Sequence, residues 1–170
     1  AACKRIVVSH NFYDAVQRDN VDIVTESIDR IEPNGVVTDG ELHELDVLVL
    51  ATGFHVDAFM RPMNITGRNG VDLDEVWKDW PSAYLSIAVP EFPNFFMLNG
   101  PNSPVGNFSL IQTAEMQFDY VLQIVNHVNQ GDLDIAVVSH EAFERFDAER
   151  YEAAKGTVWA TGCNSWYLDN

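Results

Sequence analysis

Three stretches of this 170-residue sequence carry residue types that could do chemistry. The first is the adjacent pair Lys4-Arg5. An arginine keeps its charge at any working pH, so Arg5 offers a fixed cation. On the residues alone the pair suits a solvated surface equally well. The second stretch is LNGPNSPVGNFS, residues 98–109, where a strand end and a Gly100-Pro101 turn lead to a helix start at Ser109. Backbone N–H groups at a helix start have no partner inside the helix, and the helix dipole favours an anion there. The stretch therefore reads as a cradle for negative charge or as a structural loop. The third is VWATGCNSWYLDN, residues 158–170, which interleaves aromatics with Gly, Asn and Ser. A loop of that kind touches a ligand or covers a core.

Other chemistries are not expected. The five histidines, His10, His43, His55, His127 and His140, include no pair at ligand spacing on a helix. There is no GxSxG nucleophile elbow. Asn64-Ile65-Thr66 and Asn107-Phe108-Ser109 match the glycosylation triplet, but the first residues, AACKRIVVSHNF, do not read as a secretory leader. Trp77 and Trp80 flank Lys78-Asp79 and are expected to pack rather than to form a binding box.

The elements that would position these residues follow from pattern. A short helix is expected over 11–19 with Phe12, Tyr13 and Val16 inward. The segment NVDIVTESIDRI alternates apolar and polar like a half-buried strand. Asn34-Gly35 and Asp39-Gly40 are turn signals that bracket a short strand, giving a small antiparallel hairpin. It leads into DVLVLATGF, where five apolar residues, Val47 to Ala51, predict a fully buried strand ending in Thr52-Gly53. Short apolar runs follow at 84–89 and 95–98. A helix is expected from Ser109 to about Asn129, with Ser109 and Gln112 as a capping box and Gly131 as its stop. Its apolar stripe is Ile111, Ala114, Phe118, Val121, Val125 and Val128. A second helix fits 140–155, with Ala142, Phe143, Phe146 and Ala153 inward. The sum is an α/β chain with a covered sheet.

Composition bounds the function. Hydrophobic residues make up 46% of the chain, which argues against disorder. No apolar run approaches the roughly 18 residues of a membrane span. Net charge is −16 with only three lysines, so a basic nucleic-acid face is not expected. Cys3 and Cys163 form no CxxC and fit a reducing, cytoplasmic setting.

Taken in order, RDNVDIV, GVVTDGELHELDVLVLATGF, FPNFFMLNGPNSP and VWATGCNSWY resemble the C-terminal part of class B flavoprotein monooxygenases. Within that family the chain looks most like the Baeyer–Villiger monooxygenases of the aryl-ketone type. The resemblance covers essentially the whole chain and implies an incomplete pair of dinucleotide-binding, Rossmann-like domains, the C-terminal portion only. Residues 1–51 would end the NADPH-binding domain, and 52–170 would belong to the FAD-binding domain with its lid loop. The implied cofactors are FAD and NADPH, and the implied substrate is a small ketone. The implied reaction inserts oxygen next to the carbonyl through a C4a-peroxyflavin.

Residue by residue, Lys4 is similar to the lysine that meets the 2′-phosphate of NADPH, and Arg5 resembles the active-site arginine. A fixed cation there would stabilise negative charge that develops during oxygen transfer. Thr52 and Gly53 would turn the backbone close to bound dinucleotide. Gly100, Pro101, Asn107, Ser109 and Leu110 fall on the segment that passes the pyrimidine edge of the flavin. Trp159 matches a lid tryptophan at the nicotinamide, and Asn164 lies in the same loop.

The chain departs from the family in one respect. Neither GxGxxG phosphate loop nor the FxGxxxHxxxW-type fingerprint is in the sequence. The expected partner is therefore an N-terminal portion of its own parent chain, and the 170 residues by themselves are expected to be inactive. An amine- or sulfide-oxygenating flavin monooxygenase stays open as an alternative, as does a stand-alone module without catalysis.

Overall fold

A computed structural model of the chain describes residues 8–103 and 109–162. The chain divides into two compact units, one ending at Phe54 and one beginning at His55.

The first unit is built on a three-stranded antiparallel sheet in the order β1-β2-β3. Its strands are β1 (Ile28–Glu32), β2 (Gly35–Thr38) and β3 (Glu41–Glu44). The turn residues set its register. Pro33-Asn34 closes β1 onto β2, pairing Glu32 with Gly35, and Asp39-Gly40 closes β2 onto β3, pairing Thr38 with Glu41. Asp39 and Gly40 both have positive φ, 47° and 80°, as a tight hairpin of matching twist demands. Gly35 is needed for another reason: a Cβ there would lie 2.1 Å from the His43 carbonyl oxygen of β3. The middle strand β2 is buried along its whole length.

The rest of this unit departs from the sequence pattern. Helix α1 (Phe12–Val16) is only five residues long. Phe12 and Tyr13 are exposed and stack edge to face on each other, with ring centroids 5.6 Å apart, instead of entering a core. The alternating segment forms a strand only from Ile28 onward. The buried strand expected at 46–51 does not form: Val47, Val49 and Leu50 are 74%, 78% and 73% exposed. An apolar run becomes a strand only when neighbouring strands take up its backbone N–H and C=O groups. Among the described residues none does.

The second unit holds α2 (Leu73–Val76), α3 (Leu110–Gln130) and α4 (His140–Ala154), with single turns at Arg68–Gly70 and Val158–Thr161. Its core joins Leu73, Trp77, Ala83, Val89, Phe92 and Met97. Trp77 is buried and donates its indole N–H to the Ser82 carbonyl at 2.9 Å, so it is a packing residue, as expected. Asp72 caps α2 by accepting from the Asp74 N–H, and Ser139 caps α4 by accepting from the Ala142 N–H.

Helix α3 begins and ends as the sequence predicts, with Gly131 in the left-handed conformation at φ 79°. Two details differ. The Ser109 hydroxyl makes no cap hydrogen bond; its carbonyl accepts from the Thr113 N–H and hydroxyl instead. The face turned into the unit is that of Thr113, Ala114, Gln117, Val121 and Ile124, while Ile111, Phe118, Val125 and Val128 of the expected stripe are exposed. Apolar residues cover more than half the circumference of α3, and periodicity finds the middle of that arc rather than the part this chain covers. In α4, Ala142, Phe143 and Phe146 are partly buried as expected, but Ala153 is exposed.

Candidate functional site

The segment 97–103 opens the second of the three chemical stretches. It is fixed backbone to backbone against residues 83–89. Met97 N–H donates to the Ile87 carbonyl at 2.8 Å, and Gly100 N–H donates to the Ser86 carbonyl at 3.1 Å. Asn102 accepts from the Ala83 N–H through its side-chain oxygen at 3.2 Å. The approach at Gly100 is close enough that a Cβ would sit 2.6 Å from the Ser86 carbonyl oxygen. Pro101 is fully buried beside it. Four non-glycine residues in these two turns hold left-handed backbone: Leu85, Ser86, Asn99 and Asn102, with φ of 52°, 61°, 52° and 66°. Such residues persist only where their surroundings over-determine them, and they concentrate at ligand-binding turns.

Helix α3 joins this arrangement through two polar side chains. The Asn99 amide donates to the Leu110 carbonyl at 3.2 Å, tying the segment to the first turn of the helix. Gln117, about two turns further along the helix, accepts from the Asn99 N–H at 2.7 Å and donates to the Leu85 carbonyl at 3.2 Å. The Asn99 side-chain oxygen and the Ser103 hydroxyl are buried without a hydrogen-bond partner among the described residues. No acidic residue sits in the first turn of α3, so its dipole there is uncompensated. Beside these residues lies an open apolar recess of about 340 Å³, walled by Leu98, Leu110, Ile111, Ala114 and Phe118.

Of the residues the sequence singled out, Gly100, Pro101, Ser109, Leu110 and Trp159 are in the second unit. Gly100 and Leu110 are brought together through Asn99. Trp159 is half-buried in the Val158–Thr161 turn after α4, a turn fastened by the Thr157 hydroxyl on Ala154 and the Thr161 hydroxyl on Val158, each at 2.6 Å. Thr52 and Gly53 belong to the first unit, where both are exposed; Gly53 has φ 86°, but the chain makes no turn there. Lys4, Arg5, Asn107 and Asn164 lie outside the described residues. Sequence reasoning missed Asn99, Asn102 and Gln117. Gln117 had a signal: it is a polar residue three after Ala114 and four before Val121, hence on the inward face of a helix.

A second cavity of about 320 Å³ lies between α3, α4 and residues 84–96, lined mainly by apolar and aromatic side chains. Tyr84 and Tyr120 face it; burial, and then the neighbouring Tyr84, push the Tyr120 hydroxyl above its ordinary pKa. The Tyr84 ring packs edge to face on Phe146 of α4, closing one side. None of the expected site residues lines this cavity.

Segment 99–103 and the start of α3 together form one polar edge of the second unit. They present a hydroxyl without a partner, an uncompensated helix N-terminus and a backbone too close-packed for any side chain at position 100. No glycine-rich phosphate loop is in the sequence. Among the described residues no group of three or more His, Cys, Asp or Glu could hold a metal ion. None of their helices is long and apolar enough to cross a membrane.

No family model matches the chain. Homologues matching nearly all of it are monooxygenases. An uncharacterised monooxygenase of Mycobacterium tuberculosis is 50% identical over 168 residues, 98% of this chain and 34% of that protein. An FAD-binding monooxygenase of Aspergillus terreus is 35% identical over 97% of this chain and 29% of its own length. A Baeyer–Villiger monooxygenase of Pseudomonas aeruginosa is 34% identical over 98% of this chain and 32% of its own. Among solved structures, cyclohexanone monooxygenase from Rhodococcus bound to NADP+ superposes with a TM-score of 0.85 at 36% identity, over 96% of this chain and 31% of that one. The chain thus spans about a third of the length of the relatives it matches. It carries part of their fold, which agrees with the incomplete α/β architecture read from sequence.

Proposed function

We propose that this chain, a homologue of part of the Baeyer–Villiger monooxygenases, is the C-terminal part of an FAD- and NADPH-dependent enzyme that inserts oxygen next to a ketone carbonyl. The observation that carries the proposal is the likeness of 96% of the chain to cyclohexanone monooxygenase, at a TM-score of 0.85. The exposed apolar run 47–50 supports it too: a bare row of Val and Leu is stable only under a neighbouring element, and about two thirds of the relatives' length lies outside this chain.

In this reading residues 1–51 close the NADPH-binding domain and 52–170 the FAD-binding domain. FAD, reduced by NADPH, supplies the activated oxygen. The chain's own residues bind and orient. Lys4 meets the 2′-phosphate of NADPH. Arg5 holds a permanent cation where negative charge builds during oxygen transfer. Thr52 and Gly53 bring the backbone beside the dinucleotide. Gly100 and Pro101 keep the backbone flush against the flavin edge, with Asn107 on the same loop. The helix start at Ser109 and Leu110 places dipole charge where the reduced ring is electron-rich. Trp159 and Asn164 cover the nicotinamide and exclude water.

The test uses the full-length protein that contains this chain. It is expected to purify with FAD and to oxidise NADPH when given a ketone. It should release an ester or lactone with one atom of labelled O2, the other leaving as water. A full-length protein that takes up no FAD would overturn the proposal. One that oxygenates only amines or sulfides would move it to the alternative branch of the family.

A further inference from the structure

We infer that Gln117 is the positioning residue that sets the flavin-edge segment 99–103 at its working height, acting through the backbone of Asn99. The inference rests on the reading of that segment given above, and it deepens it.

Three observations carry it. Gln117 is one of only three buried polar residues in the described chain, 9% exposed on a helix face that is otherwise small or apolar. Both ends of its amide are engaged, and both partners are backbone groups of residues in left-handed conformation. The side-chain oxygen takes the Asn99 N–H at 2.7 Å, and the side-chain nitrogen donates to the Leu85 carbonyl at 3.2 Å. Those two residues belong to turns 85–86 and 99–102, which meet where Gly100 N–H reaches the Ser86 carbonyl. Finally, Asn99 returns to the same helix about two turns earlier, at the Leu110 carbonyl.

Gln117, Asn99 and Leu110 thus make a closed loop of hydrogen bonds between α3 and the segment that precedes it. A backbone N–H cannot stay buried without a partner at small cost. Without the Gln117 oxygen, Asn99 must rotate toward water or shift along the helix. Either movement carries Gly100 and Pro101 with it, because Gly100 has no slack against Ser86. A shorter or branched side chain at 117 cannot reach both turns, and an aliphatic one satisfies neither.

The experiment compares FAD binding, the visible flavin spectrum and thermal melting in full-length wild type, Gln117→Met and Gln117→Glu. Met matches the length of Gln but has neither the amide donor nor its acceptor. Glu keeps the acceptor for Asn99. Gln117→Met is expected to bind FAD about tenfold more weakly, the factor that about 1.4 kcal/mol corresponds to, with a shifted flavin absorbance. Gln117→Glu is expected to bind between wild type and Gln117→Met, since it keeps the Asn99 bond but loses the donor to the Leu85 carbonyl. A merely structural role would lower the melting temperature of Gln117→Met and leave the affinity and spectrum of the folded protein unchanged; that result overturns the inference. Equal weakening in Met and Glu also overturns it, since the Asn99 bond would then be irrelevant. Should Gln117→Met fail to fold, amide exchange in FAD-loaded wild type decides: Asn99 N–H is expected to be as protected as the interior of α3, and exchange at loop rates overturns the assignment. A wild type that binds no FAD defeats the reading of the site itself; a wild type that binds beside an equally competent Gln117→Met defeats only the role of Gln117.

Discussion

Replacing Gly100 with alanine adds one methyl group at the tightest point of the candidate site. The added Cβ would stand 2.6 Å from the Ser86 carbonyl oxygen and 3.2 Å from the Met97 Cβ. The nearer atom is backbone, on a residue that is buried and already left-handed at φ 61°, so it cannot rotate aside as a long side chain would. That same carbonyl accepts the Gly100 N–H at 3.1 Å, and a retreat by Ser86 lengthens this bond. Forcing a methyl group into a packed backbone contact costs about 1–3 kcal/mol. If the strain is relieved by moving segment 99–103, the movement falls on the flavin edge, and the same energy appears as a loss of FAD affinity of about 5- to 150-fold. The assay is flavin fluorescence titration of full-length Gly100→Ala at 25 °C, beside its melting curve. Gly156→Ala is the matched control: its Cβ would meet only the Ala153 carbonyl oxygen at 3.9 Å, an ordinary contact, and it should leave both readings unchanged. Wild-type FAD affinity and wild-type melting in Gly100→Ala would refute the close-approach reasoning. Lowered melting with unchanged affinity would refute the placement of the flavin edge at this segment.

Three further outcomes are expected. Trp77→Ala should destabilise the second unit by about 3–5 kcal/mol, because it empties the middle of the core and strands the Ser82 carbonyl; denaturant unfolding measures it, and a change below about 1 kcal/mol would contradict the burial of Trp77. Tyr120 is held neutral in the fold by burial and by Tyr84, above its ordinary value of 10.0. Its contribution to stability is therefore complete below that value and is lost as pH rises through it and beyond; melting between pH 9 and 11 should fall less steeply in Tyr120→Phe than in wild type, and parallel curves would argue against the shift. Arg5→Ala should reduce ketone oxygenation by about 10²–10³-fold while FAD stays bound, measured as kcat with a saturating ketone; activity within about threefold of wild type would remove Arg5 from the site.

Local chemistry explains what could be read without coordinates. Asp39-Gly40 makes the turn its sequence signals, whereas the turn expected at Asn34-Gly35 falls one residue earlier, at Pro33-Asn34, because Gly35 is already paired with Glu32 as the first residue of β2. The end of α3 follows similarly from Gly131, which acts within a few residues of itself. The ordered motifs also identified the family, because they preserve particular residues in a particular order. The segment 98–109 was legible as a candidate site for the same reason.

Tertiary structure alone decided how that segment is held. Gln117 meets Asn99 and Leu85 across 18 and 32 residues of chain, and no local pattern encodes such a meeting. It likewise decided which part of the broad apolar arc on α3 is packed, leaving Ile111 and Phe118 in the open. The run Val47 to Leu50 shows the physical reason most plainly. Its residues specify a buried strand by type, but burial and strand pairing are properties of what lies alongside, and the hydrophobic effect acts only on surface that a neighbour removes from water.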